Sequence, residues 1–293
     1  MTEERPAARA LSAWMAVHGG TLRQSRYPRA GGHTTAYRLL PPAPARGRVV
    51  AAHGTGNDAC FPLVALFKAL VAEGWEVFSF DLDGHGRGST SRWEDDTVRE
   101  AVPDAVAHAA EGEPLPLHLL GHSLGAALVL RALTDGRLPD ARSAVLLSAP
   151  LRIRPTLAAG AGELRGFFCA DSWRQREHYG ARGVVPAFGP FGRAAYPLRM
   201  AGGGGVAYVA RVRRWVDSLE LERAAPGVRV PTLLVAGSAD RVVPPVQAER
   251  LAVRIPDVTL QAVPGATHWT LPFAPCAVAA VTRWLDARFP REE

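Results

Sequence analysis

Cysteine is scarce in this sequence. The chain of 293 residues contains three cysteines, Cys60, Cys169 and Cys276, which lie far apart. No two of them have the spacing of a metal-binding or thiol redox motif, so we predict no metal site and no redox pair. Dispersed free cysteines are typical of a reducing compartment, and we expect a cytoplasmic location.

Long apolar runs are missing as well. No run approaches the roughly 18 residues that a membrane-spanning helix requires, so the sequence predicts no transmembrane segment. The N-terminal residues M-T-E-E-R-P-A-A-R-A open acidic and lack a basic region followed by an uninterrupted apolar stretch. We therefore expect no secretory signal, and we predict a short helix there that packs Leu11, Trp14 and Met15 against the body of the protein.

Lysine, asparagine and isoleucine are almost absent. Lys68 is the only lysine, Asn57 the only asparagine, and Ile153 and Ile255 are the two isoleucines. The formal net charge of +6 therefore comes from arginines, a bias that GC-rich codons produce. These arginines are dispersed and form no basic stripe, so we predict no nucleic-acid partner.

Short apolar runs alternate with helical segments along the chain. The runs resemble strands that are buried on both faces, as in a parallel sheet. They are residues 48–53, 75–81, 116–121, 143–149, 232–237 and 258–263. Helical spacing occupies residues 61–73, 124–134, 244–255 and 274–289. This order predicts an α/β fold with a mostly parallel sheet and helices on both faces, to which residues 20–40 add antiparallel edge strands.

The alternation breaks once, between Pro150 and Val230. We predict a core formed by residues 1–150 and 230–293 and an inserted helical cap formed by residues 151–229, because long structureless loops are uncommon in compact domains. A loop-rich excursion is the alternative. The region is rich in aromatic side chains and has a four-glycine run at 202–205. The aromatic residues are Trp173, Tyr179, Phe188, Phe191, Tyr196, Tyr208 and Trp215.

A serine stands between two glycines in G-H-S-L-G, residues 121–125. Ser123 follows a predicted strand and precedes a predicted helix, which is the context of a nucleophile elbow. Any side chain at Gly121 or Gly125 should collide with the neighbouring strand or helix. We therefore predict that Ser123 is a nucleophile and that the N–H of Leu124, at the helix N-terminus, stabilises an oxyanion.

Partners for this serine follow later in the chain. Asp240 lies after the strand at 232–237, and His268 lies after the strand at 258–263. Ligands of open α/β sheets bind at the carboxyl ends of strands, where all three residues would meet. A second oxyanion donor is expected from H-G-T-G-N-D, residues 53–58, with the N–H of Thr55 as the first candidate and Gly56 as the next.

Taken together, these motifs resemble the α/β-hydrolase superfamily in its serine-nucleophile, capped branch, and within it enzymes similar to monoacylglycerol lipases and lysophospholipases. The resemblance spans residues 48 to 270. An extra Gly88 departs from the family loop, so no role is carried over to Ser89. The matching motifs are H-G-T-G, F-D-L-D-G-H-G-R-G-S, G-H-S-L-G, G-S-A-D-R-V-V-P and G-A-T-H.

The resemblance implies a serine hydrolase that needs no metal or organic cofactor. Ser123 would attack the acyl carbon, His268 would carry the proton and Asp240 would orient the histidine. We expect His122, Gly54 and Gly56 to contact a small-molecule acyl substrate.

The remaining histidines and acids receive structural roles. We expect His53 and His85 to fix loops, His118 to lie in the core, and Asp83 to cap a loop.

Several alternatives for the function and the oligomeric state stay open. They are acyl transfer, lactone formation or C–C cleavage by the same residues, a ligand-sensing receptor of this fold, and a homodimeric state.

Overall fold

The structure is a computed structural model that describes residues 6–29, 31–86, 89–154, 156–169 and 206–291. Among these residues, eight strands form one sheet. The strands are β1 (Thr21–Arg29), β2 (Gly32–Leu40), β3 (Arg48–Ala52), β4 (Glu76–Phe80), β5 (Leu117–His122), β6 (Ala141–Leu147), β7 (Thr232–Gly237) and β8 (Val258–Val263). Across the sheet their order is β1-β2-β4-β3-β5-β6-β7-β8.

The sheet is mostly parallel. Strands β3 to β8 pair in parallel with one another. Strand β1 pairs antiparallel with β2, and β2 pairs antiparallel with β4. The predicted parallel sheet with antiparallel strands between residues 20 and 40 is therefore confirmed. The apolar runs of the sequence coincide with β3 to β8, with bounds that differ by no more than two residues.

Helices precede, connect and follow the strands. They are α1 (Pro6–Val17), α2 (Val64–Ala72), α3 (Ala101–Ala109), α4 (Leu124–Thr134), α5 (Leu157–Cys169), α6 (Val206–Ser218), α7 (Leu221–Ala224), α8 (Val246–Ala252) and α9 (Pro275–Arg288). Helix α1 buries Leu11 and Met15 as expected, while Trp14 stays half-buried. Helix α3 was not expected, because its buried face consists of small residues such as Ala101 and Ala105, which give a weak periodic signal.

Alternate residues of the central strands point into two apolar clusters. On β3, Val50 and Ala52 belong to one cluster, and Val49 and Ala51 belong to the other. Side chains of α3, α4 and α8 complete the first cluster, whereas α1, α2 and α9 complete the second. The sheet thus has helices on both faces, and its central strands are continuous apolar runs because both of their faces are buried.

The last strand, β8, departs from that pattern. We expected it to be buried on both faces, but Leu260 is 40% exposed and only Val263 of this strand is buried. The reason is its place in the sheet, since β8 lies at the edge and pairs with β7 alone. Its Thr259 hydroxyl accepts a hydrogen bond from the indole N–H of Trp284, at 3.1 Å.

The described parts of residues 151–229 contain the helices α5, α6 and α7. Val212 and Val216 of α6 and Leu221 of α7 lie in the same apolar cluster as α4. Trp215 is buried against Trp93, with ring centroids 5.4 Å apart, so its indole packs onto the body of the protein. The domain bounds at 150 and 230 stay a prediction.

Most of the predicted aromatic cluster lies outside the described residues. The side chains concerned are Trp173, Tyr179, Phe188, Phe191 and Tyr196, and the four-glycine run at 202–205 lies outside as well.

Within the part of the chain that the structure describes, none of the helices has the length and apolar character needed to cross a membrane.

Candidate active site

Ser123 occupies a sharp turn between β5 and α4. Its φ is +54° and its ψ is −117°, a backbone conformation that a residue with a side chain rarely adopts. The N–H of Ser123 donates a hydrogen bond to the carbonyl of Leu147 on the neighbouring strand, at 2.9 Å. This strained backbone is what the predicted elbow requires, and it places the serine at the carboxyl end of the sheet.

The two flanking glycines are needed for close packing. A Cβ on Gly121 would lie 2.5 Å from the Cα of Ala126, and a Cβ on Gly125 would lie 2.1 Å from the carbonyl oxygen of Ala52. Real contacts of this kind are much longer, so a side chain at either position would force β3, β5 or α4 apart. The collision expected from the sequence is thereby confirmed.

Gly125→Ala is expected to lower the free energy of unfolding by about 1–3 kcal/mol, as overpacked core variants typically do. Urea unfolding followed by circular dichroism measures the change. Gly160→Ala is the matched control, because a Cβ there meets nothing within 4 Å, and alanine favours the α5 helix. Equal stability of the two variants would contradict the packing argument.

Ser123, His268 and Asp240 come together at the carboxyl end of the sheet. Nε2 of His268 lies 2.8 Å from Oγ of Ser123, and Nδ1 of His268 lies 2.8 Å from Oδ2 of Asp240. All three residues are buried. With the proton on Nδ1, the imidazole donates to the carboxylate and leaves Nε2 free to accept the serine proton.

Asp240 is held by several donors. Its Oδ1 accepts hydrogen bonds from the N–H groups of Val242, at 2.9 Å, and Val243, at 2.7 Å. Its Oδ2 also accepts from the hydroxyl of Ser148, at 2.8 Å. Burial raises the pKa of Asp240, but the nearby His268 and these donors outweigh burial and hold the pKa below its usual value. The carboxylate therefore stays ionised at neutral pH.

The pKa of His268 is shifted in the opposite direction. Burial alone would lower its pKa, but the charge of Asp240, the hydrogen bond to that carboxylate and the charge of Glu163 together raise the pKa above the usual value. A raised pKa means that the environment favours the imidazolium form. That preference suits a group which takes up a proton during a reaction.

The loop after β3 lies against Ser123. A Cβ on Gly54 would lie 3.1 Å from Cβ of Ser123 and 3.0 Å from Nδ1 of His122, so a larger residue would force these neighbours to move. Thr55 follows, and its Oγ1 is buried without a hydrogen-bond partner. Gly56 has a φ of +77° and faces open space, since a Cβ there meets nothing within 4 Å.

Two further features frame the serine. His53 fixes the loop, because its Nδ1 lies 2.7 Å from the carbonyl oxygen of Gly54 and its Nε2 accepts from the N–H of Leu82 at 3.0 Å. Leu124 begins α4 on the other side of Ser123, where the first helical N–H groups have no partner within the helix. The loop-fixing role expected for His53 is confirmed.

His122 lies deeper than a substrate contact would suggest. It is 2% exposed, its Nε2 donates to the carbonyl of His268 at 3.4 Å, and its Nδ1 is buried without a hydrogen-bond partner. Burial, followed by the charge of His268, lowers the pKa of His122 to about 3. The ring is therefore neutral at neutral pH, and its expected role as a substrate contact stays a prediction.

The acidic residues near the same edge have other partners. Asp81 accepts from the N–H of Ala59 at 2.9 Å and from the hydroxyl of Ser89 at 2.6 Å. Asp83 forms an ion pair with Arg29 at 2.5 Å. Both carboxylates therefore hold the loop after β4 in place, and neither is the hydrogen-bond partner of the imidazole near Ser123.

Sequence analysis missed two residues of this region. Ser148 follows β6 directly, has a φ of +47° and donates a hydrogen bond to Asp240. Its position, a polar residue immediately after a buried strand, could have marked it in the sequence as a candidate site residue. Glu163 reaches the histidine loop from α5, where its Oε2 accepts from the N–H of Trp269 at 3.0 Å. Nothing in the sequence distinguished Glu163 from the other acids of its region.

Comparison with known proteins identifies the family of this chain. The sequence model described as the alpha/beta hydrolase family matches residues 49–281. This range includes β4 to β8, β3 without its first residue, and the three residues Ser123, Asp240 and His268. The chain belongs to the alpha/beta hydrolase family.

Individual relatives of this family member are distant. Over 116 residues the chain is 28% identical to caffeoylshikimate esterase from Arabidopsis thaliana, a match that spans 38% of this chain and 35% of that esterase. It resembles a soluble variant of monoglyceride lipase from Saccharomyces cerevisiae with a TM-score of 0.64 at 16% identity, covering 91% of this chain and 96% of that one.

A third similar protein is monoacylglycerol lipase from Paleococcus ferrophilus. Its structure matches with a TM-score of 0.58 at 22% identity, covering 86% of this chain and 99% of that chain. At these identities the structural likeness establishes the fold of this family member and leaves its substrate open.

Proposed function

We propose that this hydrolase cleaves carboxylic esters or thioesters with an apolar acyl group, through an acyl-enzyme on Ser123. The main observation behind the proposal is the pair of hydrogen bonds that link Ser123 to His268 and His268 to Asp240. Both donor–acceptor distances are 2.8 Å. A serine hydroxyl is a weak nucleophile by itself, and a neighbouring base that is held by a carboxylate activates it. The similarity to caffeoylshikimate esterase over 116 residues supports an ester substrate.

In the first half of the reaction, Oγ of Ser123 attacks the carbonyl carbon of the ester. His268 takes the serine proton at Nε2, and the tetrahedral intermediate carries a negative oxygen. The intermediate then collapses, the bond to the leaving alcohol or thiol breaks, and His268 protonates that leaving group. In the second half, water gives a proton to His268 as its oxygen attacks the acyl carbon. The second tetrahedral intermediate then collapses, the bond to Oγ breaks, His268 returns the proton to Ser123 and the acid is released.

The oxyanion would lie between α4 and the loop after β3. We assign the N–H of Leu124 as one donor, since it stands at a helix N-terminus that favours negative charge. We assign the N–H of Thr55 as the second donor, because Gly54 brings its loop into contact with Ser123. Gly56 is the alternative second donor. No step of this mechanism calls for a metal or an organic cofactor.

Catalytic efficiency is expected to rise with acyl length from acetate to at least butanoate or hexanoate. Each methylene that is buried adds at most about 0.8 kcal/mol, or up to roughly fourfold in kcat/KM. A screen of matched esters, thioesters, amides and lactones measures the profile. A flat profile over chain length would contradict an apolar acyl pocket, and turnover of lactones alone would contradict the proposed ester class.

The reaction is also expected to fail as the pH falls through the pKa of His268. Only the neutral imidazole accepts the serine proton, so activity is lost when His268 is protonated. Because the pKa of His268 is raised above 6.5, the half-maximal point of kcat/KM should lie on the alkaline side of that value. A pH–rate profile measures it, and a half-maximal point clearly below pH 6.5 would contradict the assignment of His268 as the base.

A further inference from the structure

Glu163 is a buried acid whose role the mechanism leaves open. It lies on α5, and its exposed fraction is 0%. Burying a carboxylate is costly unless hydrogen bonds or charges compensate, so its partners indicate what it does.

The contacts of Glu163 join α5 to the histidine loop. Its Oε2 accepts a hydrogen bond from the N–H of Trp269 at 3.0 Å, and Trp269 is the residue directly after His268. Its other oxygen, Oε1, is buried and has no hydrogen-bond partner among the residues that the structure describes. One oxygen therefore fixes the backbone beside the imidazole, and the carboxylate lies in a low-dielectric environment, where its charge interacts strongly with nearby charges.

That charge acts on His268. Burial lowers the pKa of the imidazole, whereas Asp240 first and Glu163 after it raise the pKa. His122 also faces the imidazole, but its own pKa of about 3 leaves it uncharged at neutral pH. Arg241 is a cation close to α5, since a Cβ built on Gly162 of this helix would lie 3.1 Å from its side chain. Arg241 is exposed, so solvent screens its charge.

We propose that Glu163 is a positioning residue for the catalytic histidine, which holds the backbone at Trp269 and stabilises the imidazolium that forms on His268 during proton transfer. The inference rests on the proposed function, because it assigns His268 the role of base. Stabilising charge that develops during a reaction accelerates it most where water is excluded, and His268 and Glu163 are both buried. Helix α5 thereby contributes to proton transfer as well as to the shape of the site.

Two substitutions separate the charge from the hydrogen bond. Glu163→Gln keeps an oxygen that can accept from Trp269 and nearly the same volume, but it removes the charge. Glu163→Ala removes both and leaves a buried N–H without a partner. Glu222→Gln is the control, because it neutralises a partly exposed acid on α7 that pairs with Arg250.

The first measurement is an NMR titration of the histidine rings, which needs no substrate. The His268 resonance is assigned by its loss in His268→Asn. In Glu163→Gln the pKa of His268 should be lower than in the wild type and in Glu222→Gln, because a nearby negative charge has been removed. Superimposable titrations of His268 in Glu163→Gln and the wild type would overturn the proposal.

The second measurement is the rate at which a fluorophosphonate labels Ser123 as a function of pH. In Glu163→Gln the acid limb should move to lower pH, and the plateau rate should fall by roughly three- to tenfold as imidazolium stabilisation is lost. A lower labelling rate with an unchanged acid limb would show that Glu163 has only a structural role and would contradict the proposal. A rise in KM for esters alone would place it on the substrate instead.

The two measurements keep the proposals apart. If the wild type is not labelled at all, the proposed function fails, while the NMR titration still decides whether Glu163 acts on His268. If the wild type is labelled and the titration of His268 is unchanged in Glu163→Gln, the positioning role alone is rejected. If Glu163→Ala unfolds, Glu163→Gln still supplies both readouts.

Discussion

Ser123→Ala should lose roughly 10⁴- to 10⁶-fold in kcat for ester hydrolysis, because the variant has no hydroxyl to form the acyl-enzyme. The fold should persist, since the variant loses one side-chain hydrogen bond, to His268, and keeps the backbone hydrogen bond to Leu147. Steady-state kinetics with a short-chain ester, corrected for the folded fraction by circular dichroism, measure the loss.

A matched control exists within the same sheet. Ser143 is a buried serine whose hydroxyl lies 2.8 Å from Nδ1 of His118, the same kind of serine–histidine contact outside the site. Ser143→Ala should lose about 1 kcal/mol of stability and keep its activity per folded molecule. Near-normal turnover by Ser123→Ala, or an equal loss in both variants, would contradict the assignment of the nucleophile.

Asp240→Asn should lower kcat by about 10⁴-fold while KM changes little. The carboxylate accepts hydrogen bonds on both oxygens, from Val242 and Val243 on Oδ1 and from Ser148 and His268 on Oδ2. An amide can accept on one side only. With its NH₂ turned away from the backbone donors, the amide donates to Nδ1, and the ring then carries its proton on Nε2, where it cannot accept from Ser123.

Asp83→Asn is the control for this second prediction. Asp83 is also a buried carboxylate near the sheet edge, but its partner is Arg29. Its amide variant should lose stability, because the buried Arg29 then keeps only the half-exposed Asp104 as a charge partner, and it should keep kcat per folded molecule. A mild effect of Asp240→Asn together with a severe loss of kcat in Asp83→Asn would show that the acid has been misassigned. Thermal melts and steady-state kinetics on both variants decide between the outcomes.

The fold could be predicted from the sequence where strands are buried on both faces, because burial on both faces produces a continuous apolar run. Strands β3 to β7 are apolar runs because both of their faces are covered, and the runs marked them correctly. The exposure of β8 could not be read in this way. It depends on the strand's place at the edge of the sheet, which is a property of the whole topology and not of residues 258–263.

The site could be anticipated because its chemistry needs fixed residue types after fixed strands. Ser123, Asp240 and His268 each follow a strand of the predicted parallel sheet, so their positions in the sequence predicted that they would meet at its carboxyl edge. Ser148 and Glu163 were missed for a different reason. Each acts through a contact with another element, Ser148 with Asp240 and Glu163 with Trp269, and such contacts leave no local pattern.

The central claim, that Ser123 is the nucleophile of a hydrolase, is tested most directly by mass spectrometry after reaction with a fluorophosphonate. The reagent captures a serine that a neighbouring base activates, and it does not depend on knowing the natural substrate. We predict one adduct per chain in the intact protein, mapped by peptide analysis to Ser123 and absent from Ser123→Ala. An unmodified chain, or an adduct on a residue other than Ser123, would contradict the account.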